Sequence, residues 1–284
     1  MKKPAVHLYT LCWDEAYMLG FFFRHYDSWV DRYVIYDDGS TDGSLKILQA
    51  HPRVELRKFS RTDPTSFVSS HTKIQNEVWK ESRGRADWVV VTALDEHLWV
   101  PKKPMASYLF EQQVQNVTLI PALGFDMICQ TMPQNNGLLV EKIRRGQPSL
   151  IYCKLSIFNP DALLETNFAG GRHFASPTGR LKLPGRDELL LWHYKKLGFE
   201  ETAAREKAEG ARLGSTDIAN GWGHQYLWSK EKFTDNWNAF DQRSSDLDER
   251  TVFPDANQLW WNSGVRRLKN WNPRVRLRAF FSRR

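Results

Sequence analysis

The first hundred residues alternate between two hydrophobic patterns. Short apolar runs rich in β-branched and aromatic residues predict strands, and segments with apolar positions three or four apart predict helices. The predicted strands cover residues 5–11, 32–37, 53–59 and 86–94, and helical segments at 15–29, 41–51 and 69–83 separate them. Because strands that alternate with helices pair in parallel, this order predicts an α/β fold, a Rossmann-like sandwich with a mainly parallel central sheet.

The pattern becomes less regular after residue 101. Further strands are predicted at 117–125, 149–158 and 188–194, and helices at 199–213 and 221–240. A glycine- and proline-rich stretch at 170–188 has little periodicity, and a loop of that length inside a compact domain is usually functional or disordered. We therefore expect one α/β domain over residues 1–215, a helical extension over 216–263 and a tail over 264–284.

The composition is most unusual at the end of the chain, where basic residues accumulate. The formal net charge is +7, and residues 264–284 hold eight basic residues, no acidic one and several aromatic ones. Such a tail is suited to an anionic membrane surface, where each Lys or Arg contributes about 1 kcal/mol, and a solvated tail explains it equally well. The rest of the chain has balanced charge and no nucleic-acid module, so nucleic acid is not an expected partner.

The expected location is the cytoplasm, at the inner face of the membrane. Three cysteines are scattered without the spacing of a metal knuckle, which favours reduced thiols. The apolar run near the start is interrupted by Asp14 and Glu15, and it is too short to cross a bilayer.

Acidic side chains follow two of the predicted strands. Asp37 and Asp38 lie at the carboxyl end of one strand, and Asp95, Glu96 and His97 come after another. Ligands of open parallel sheets bind beyond the carboxyl ends of the strands, where a carboxylate can accept hydrogen bonds from a ribose or a base. An Asx turn that caps the next helix also explains part of the first pattern.

The same positions suit a phosphate-bound metal ion. Hard divalent cations take one or two carboxylates together with substrate phosphates. Mg²⁺ or Mn²⁺ near Asp95 could offset the charge that develops on a leaving pyrophosphate. The turn after the first strand, "YTLCWDE", has no glycine, which argues against nicotinamide and S-adenosylmethionine enzymes.

Three stretches resemble one known family. "HLYTLCWDEAYMLGFFFRHY", "VDRYVIYDDGSTDGS" and "ADWVVVTALDEHLWV" resemble glycosyltransferase family two, which has the GT-A fold, over roughly residues 4–215. The similarity is to bacterial members with an Asp-x-Asp-Glu motif and a later His-Tyr-Lys element, here "LLLWHYK". It implies inverting transfer of a sugar from a nucleotide-sugar donor, usually with a divalent metal. The acceptor is then a glycan or a lipid-linked molecule of cell-surface polysaccharide or lipopolysaccharide assembly.

The resemblance also implies roles for individual residues. The candidates for donor binding, to which His173 is added from the long loop, are Thr10, Asp37, Asp38, Lys73, Asn76, Asp95, His173 and His193. Ala93 stands where the family has the first aspartate of its motif, so the candidate metal ligands are Asp95, His97 and His193. Asp187 is the candidate general base that deprotonates the acceptor hydroxyl, and a solvated turn carboxylate is the alternative for it.

Two other functions remain open. A nucleotidyltransferase can share this sheet, but that class carries a glycine-rich basic loop after its first strand, and this chain lacks one. A non-catalytic protein that binds a nucleotide sugar or a glycan would be consistent with Ala93. The product separates the three functions. A glycosyltransferase releases a nucleoside diphosphate, a nucleotidyltransferase releases pyrophosphate, and a binding protein binds without turnover.

Overall fold

The computed structural model describes residues 3–248, 251 and 253–264. Its strands are β1 (Val6–Cys12), β2 (Arg32–Asp37), β3 (Val54–Lys58), β4 (Trp88–Val91), β5 (Glu96–Trp99), β6 (Leu119–Pro121), β7 (Leu123–Cys129), β8 (Arg145–Pro148), β9 (Leu155–Phe158), β10 (Leu163–Glu165), β11 (Thr178–Gly179), β12 (Leu190–Leu197) and β13 (Ser245–Asp246). Its α-helices are α1 (Ala16–Tyr26), α2 (Ser44–Ala50), α3 (Phe67–Glu77), α4 (Met105–Val114), α5 (Leu139–Lys142), α6 (Phe199–Gly210), α7 (Ser215–Ala219), α8 (Lys230–Arg243) and α9 (Trp260–Gly264).

The strands form two mixed sheets and a small two-stranded one. The first has the order β3-β2-β1-β4-β9-β6, and its first three pairings are parallel whereas β9 runs antiparallel to β4 and β6. The second has the order β13-β8-β7-β12-β5, and only β7 and β12 are parallel. The α/β class is confirmed, but the mainly parallel sheet was wrong: parallel pairing needs a crossover of a dozen residues or more, and the regular alternation of strands and helices that supplies such crossovers ends after β4.

Both faces of the first sheet are buried. In β4, Val90 belongs to the core between the two sheets, and its neighbours Val89 and Val91 belong to the core on the opposite face. The same alternation holds in β1, where Leu8 and Tyr9 lie in different cores. Burial on both faces explains why these strands are continuously apolar in the sequence.

The C-terminal helices pack against the second sheet. Trp237 and Phe240 of α8 form a cluster with Ile128 at the end of β7. The helix expected over 221–240 is divided, because the Ser229 hydroxyl accepts a hydrogen bond from the Lys232 amide (3.2 Å) and caps a new helix there. Among the described residues, no helix combines the length and the apolar character that crossing a membrane requires.

The tail lies outside the described residues apart from Gly264, so its predicted binding to an anionic membrane stays a prediction.

The chain changes direction across the first sheet between β1 and β4. From β1 it passes outward to β2 and β3, and it then returns to place β4 on the other side of β1. The carboxyl ends of β1, β2 and β4 therefore lie at one edge of the sheet. Ligands of α/β proteins bind in the crevice at such a switch point.

Candidate active site

Asp37 is occupied by the turn that follows its strand. Its carboxylate accepts hydrogen bonds from the backbone amides of Gly39 (2.9 Å) and Ser40 (3.1 Å). Asp42 of the same loop accepts a bond from the Ala16 amide (2.9 Å) at the start of α1. The Asx turn therefore accounts for Asp37, which was predicted to bind the donor.

Asp38 faces a different environment, beside an aromatic and cationic group. Arg212 Nη2 donates a hydrogen bond to Asp38 Oδ2 (2.5 Å), and Arg61 lies 3.8 Å from the same oxygen. The Arg212 guanidinium is 3.7 Å from the centre of the Trp13 ring. An indole face and a carboxylate lie together at the carboxyl ends of β1 and β2. This pair of groups suits a nucleobase and its ribose, and Arg212 covers the indole face in this structure.

A cavity of about 370 Å³ opens next to Trp13. Asp14 lines it from the turn after β1 and Tyr17 from the first turn of α1. Lys195 of β12 and Arg205 of α6 line it from the other side. Its volume falls in the range of small-molecule sites. The lining combines two aromatic rings, two cations and the carboxylates of Asp14 and Glu201, so a ligand with a ring and several polar groups would find partners there.

Asp95 and His193 lie together behind this cavity. His193 Nε2 is 3.4 Å from Asp95 Oδ2, and His193 Nδ1 is 3.0 Å from Asp126 Oδ1. Arg205 lies 3.8 Å from the same Asp95 oxygen. The Tyr152 ring stacks on the imidazole with the ring centres 4.0 Å apart. In the strand register His193 stands opposite Asp126 of β7, so the two side chains share one face of the second sheet.

Charge attraction outweighs burial in this cluster. Burial favours neutral histidine, but the carboxylates of Asp95 and Asp126 raise the pKa of His193. Burial would raise the pKa of Asp95, and the imidazolium of His193 lowers it overall. The pKa of Asp126 is likewise lowered, against burial, by Lys196 and His193. Without a bound ligand these groups therefore favour their charged forms, and a metal ion that binds at His193 Nε2 would have to displace the proton there.

Glu15 is a further carboxyl group beside this cluster, and its pKa is raised whereas those of Asp95 and Asp126 are lowered. It lies 3.5 Å from Arg205, and its buried Oε2 atom has no hydrogen-bond partner among the residues that the structure describes. Burial raises the pKa of Glu15 to about 8, and the nearby Asp95 charge acts in the same direction. A protonated Glu15 leaves Arg205 with more positive charge for an anionic ligand.

Glu96 holds the long loop to the sheet and does not reach the cavity. Its carboxylate pairs with Lys154 Nζ (2.7 Å) and with Arg172, and all three side chains are almost fully buried. Arg172 also donates to the Val91 carbonyl (2.6 Å), and its φ of 57° is in the left-handed region. Arg172 is thus an anchor of the loop.

His97 does not join the predicted metal site. In the register of β5 against β12, His97 stands opposite Trp192, whereas His193 stands opposite Glu96. The two histidines therefore point to opposite faces of the second sheet. His97 is fully buried and stacks on His25 at 4.5 Å. Burial, with the nearby His25, lowers the pKa of His97 well below its usual value.

Asn76 uses its side-chain amide to hold a loop. Its Oδ1 accepts bonds from Thr166 Oγ1 (2.8 Å) and the Phe168 amide (2.8 Å), and its Nδ2 donates to the carbonyls of Thr72 and Phe168. The predicted contact of Asn76 with the donor would require breaking these bonds. Lys73, one helical turn earlier on α3, is exposed.

The remaining donor candidates are His173, whose ring contacts Tyr152, and Thr10. One ring nitrogen of His173, Nδ1, is 2.9 Å from the Ile151 carbonyl, to which it donates. Thr10 is buried within β1, with its hydroxyl 3.4 Å from the Leu11 carbonyl. Their roles stay predictions.

Asp187 lies at the other end of β12 from the cluster. β12 pairs Leu190 with Trp99 and His193 with Glu96, so residues before Leu190 extend away from Asp95. Three strand residues correspond to about 10 Å, and Asp187 comes three residues earlier still. It is 4% exposed. The structure does not bring this predicted base to the cavity.

The sequence patterns did not identify Asp126, Lys195 or Arg205 as residues of the site. Asp126 had one available signal, since it is the only charged residue in the apolar strand "LGFDMIC". A lone carboxylate in a buried strand needs a partner, and His193 and Lys196 supply it.

Comparisons with known proteins add little to this geometry. No family model matches the chain, and no curated protein sequence matches it. A structure of 4-diphosphocytidyl-2C-methyl-D-erythritol synthase has 15% identity and a TM-score of 0.29, covering 56% of this chain and 77% of that one. A mycobacterial protein has 19% identity and a TM-score of 0.27, covering 43% of this chain and 41% of the other.

A third similar structure is glucosyl-3-phosphoglycerate synthase from Mycobacterium tuberculosis in complex with Mn²⁺, UDP and phosphoglyceric acid. Its identity is 16% and its TM-score 0.27, and 43% of each chain is covered. This chain thus spans less than half the length of the second and third structures. Likeness at these TM-scores carries no conclusion about function.

Proposed function

We propose that the protein is a glycosyltransferase that moves a sugar, with inversion, from a nucleotide-sugar donor to a glycan or lipid-linked acceptor. The observation that carries the proposal is the Asp95–His193 pair beside a cavity with aromatic and charged walls at the switch point of the first sheet. The sequence resemblance supplies the reaction class and the setting of cell-surface polysaccharide assembly.

The cavity offers a place for each part of the donor. The Trp13 ring and the Asp38 carboxylate suit the nucleoside, once Arg212 moves from the indole face. Lys195 and Arg205 supply positive charge for the diphosphate. An arginine can bind phosphate oxygens in a bidentate manner, which favours Arg205 as the diphosphate contact.

A divalent metal fits the Asp95–His193 pair. One carboxylate oxygen and one imidazole nitrogen lie close enough to share an ion, and the nitrogen makes Mn²⁺ a better match than Mg²⁺, which prefers oxygen ligands. Within residues 3–248, 251 and 253–264, no group of three or more potential ligands is present. Diphosphate oxygens and water would complete the coordination, and the ion would offset charge on the leaving nucleoside diphosphate.

The first test screens donors. The protein is mixed with UDP-, GDP-, CMP- and dTDP-sugars, with and without Mn²⁺, and thermal shift and released product are both measured. A stabilising donor from which nucleoside diphosphate (for a CMP-sugar, CMP) is released supports the proposal. Pyrophosphate released from a nucleoside triphosphate and a sugar phosphate would instead identify a nucleotidyltransferase, and donor binding without turnover a binding protein.

The second test removes the metal ligand. We expect Asp95→Asn to abolish the Mn²⁺-dependent part of donor stabilisation and to slow transfer at least ~100-fold, because the metal contributes several kcal/mol to the transition state. Asp235→Asn makes the same change on the exposed face of α8 and serves as the control. A folded Asp95→Asn protein that binds donor and Mn²⁺ like the parent would remove Asp95 from the site.

A further inference from the structure

We propose that Asp126 is a positioning residue that holds the His193 imidazole with Nε2 toward Asp95, ready to bind a metal ion. This inference rests on the proposed function, because it takes Asp95 and His193 as the pair that binds the ion. It deepens that function by assigning a role to a residue of a different strand, which does not itself reach the ion.

The position of Asp126 is set by the sheet. Asp126 of β7 and His193 of β12 are direct neighbours in a parallel pairing, and the register shifts only after His193. The Asp126 Oδ1 atom is 3.0 Å from His193 Nδ1, and Lys196 Nζ lies 2.5 Å from the other carboxylate oxygen. Each oxygen therefore has its own partner, and the bond to His193 does not share an oxygen with the ion pair to Lys196.

The imidazole is held on one edge and on one face. Asp126 takes the Nδ1 edge, and the Tyr152 ring covers one face with its plane tilted by only 24°. The Nε2 atom is left pointing at Asp95. A ring held in this way keeps its orientation before any ligand arrives.

The hydrogen bond also selects the tautomer. When Nδ1–H donates to Asp126, the lone pair of the neutral imidazole lies on Nε2, which is the atom that faces Asp95. Without an acceptor at Nδ1, the ring can turn about its Cβ–Cγ bond or carry the proton on Nε2 instead. In either case the Nε2 lone pair would no longer be available to the ion. Loss of such an outer partner typically costs about 10–100-fold in metal affinity.

The experiment measures Mn²⁺ binding directly. The probe is Mn²⁺ alone, titrated into the full chain, with free Mn²⁺ followed by electron paramagnetic resonance. Pulsed measurements on the bound ion detect the nitrogen of a coordinating imidazole. We expect the parent to show a ¹⁴N signal that His193→Ala removes. Neither readout depends on turnover, so failure here is distinct from failure of nucleoside diphosphate release, which tests the transferase itself.

Two variants of Asp126 grade the effect. Asp126→Leu keeps the approximate volume and removes the acceptor, and we expect its Kd for Mn²⁺ to rise ~10–100-fold with a weaker ¹⁴N signal. Asp126→Asn keeps an acceptor oxygen but loses the charge, so a smaller rise of ~3–10-fold is expected. Lys196→Met is the matched control, because it removes the ion pair to Asp126 and leaves the bond to His193. Its Kd should stay within about twofold of the parent.

Each outcome decides the proposal. Urea unfolding of every variant confirms that the measured protein is folded, and Asp126→Asn replaces Asp126→Leu if the latter does not fold. Equal Kd values for the parent and the Asp126 variants would overturn the assignment. So would a loss in Lys196→Met as large as that in Asp126→Asn, since general destabilisation would then explain both. A parent protein without Mn²⁺ affinity or without a ¹⁴N signal would overturn it as well.

Discussion

We expect Glu96→Gln to lower the free energy of unfolding more than the removal of any exposed charge does. The Glu96 carboxylate is 1% exposed and accepts hydrogen bonds from Lys154 Nζ (2.7 Å), Thr92 Oγ1 (3.1 Å) and the Ala93 amide (3.0 Å), besides its pair with Arg172. Glutamine has nearly the same shape but no charge. The variant therefore leaves two buried cations without a compensating anion.

The size of the effect follows from this burial. Removing one partner of a buried ion pair costs about 3–5 kcal/mol, because the remaining charge stays desolvated. At roughly 2–4 °C per kcal/mol for a domain of this size, Glu96→Gln should lower Tm by about 6–20 °C. An exposed pair offers the comparison: Lys103 and Glu111 are 35% and 46% exposed, and Glu111→Gln should cost less than about 1 kcal/mol.

Urea unfolding followed by circular dichroism gives both the free energy of unfolding and its denaturant slope. A combined variant, Glu96→Leu with Lys154→Met and Arg172→Met, separates lost charge balance from lost shape. Apolar replacement of a whole buried ion cluster is often neutral or stabilising, so the triple variant should recover a large part of the loss. A loss below about 1 kcal/mol in Glu96→Gln, or a triple variant no more stable than the single one, would refute the reasoning.

The same carboxylate and the Trp13 ring lead to two further predictions. Burial opposes ionisation of Glu96, but Arg172 and Lys154 hold its pKa well below the usual value. The ionised carboxylate therefore stabilises the folded protein fully above the unfolded pKa of about 4.3. This contribution is lost as the pH falls through the folded pKa. Unfolding free energies between pH 6 and pH 2 should show the gap between the parent and Glu96→Gln closing at acidic pH, and a constant gap would contradict this. Trp13→Ala should weaken donor binding by about 1–3 kcal/mol, which is the contribution of a base stacked on an aromatic ring. Isothermal titration calorimetry measures this loss, and a substitution of an exposed tryptophan, Trp222→Ala, is the control. Equal donor affinities of Trp13→Ala and the parent would contradict a nucleoside at Trp13.

The first half of the fold was predictable because its strands are buried on both faces. Such strands are continuous apolar runs, and the observed β2 coincides with the predicted strand at 32–37. The second sheet was not predictable in the same way. The run 117–125 looked like one strand, but it contains β6 of the first sheet and β7 of the second. An apolar run shows that a segment is buried and does not show which sheet it joins.

The acidic residues of the site were predictable in place but not in orientation. Asp37 is the last residue of β2 and Asp38 is the next, and the turn directs the first to backbone amides and the second to Arg212. Composition does not distinguish them, because each is an aspartate at a strand end. Only the path of the backbone decides which carboxylate reaches the crevice.

The two histidines show why register limits a prediction of this site. His97 follows an acidic pair at a strand start and His193 lies in the family-like element, so each was a reasonable metal ligand. Side chains alternate along a strand, and a shift of one residue exchanges the two faces. The observed pairing sets His193 and Glu96 on one face and His97 and Trp192 on the other. The first face gathers the charged groups and the second gathers aromatic rings, so the register of β5 against β12 decides which histidine meets Asp95 and Asp126.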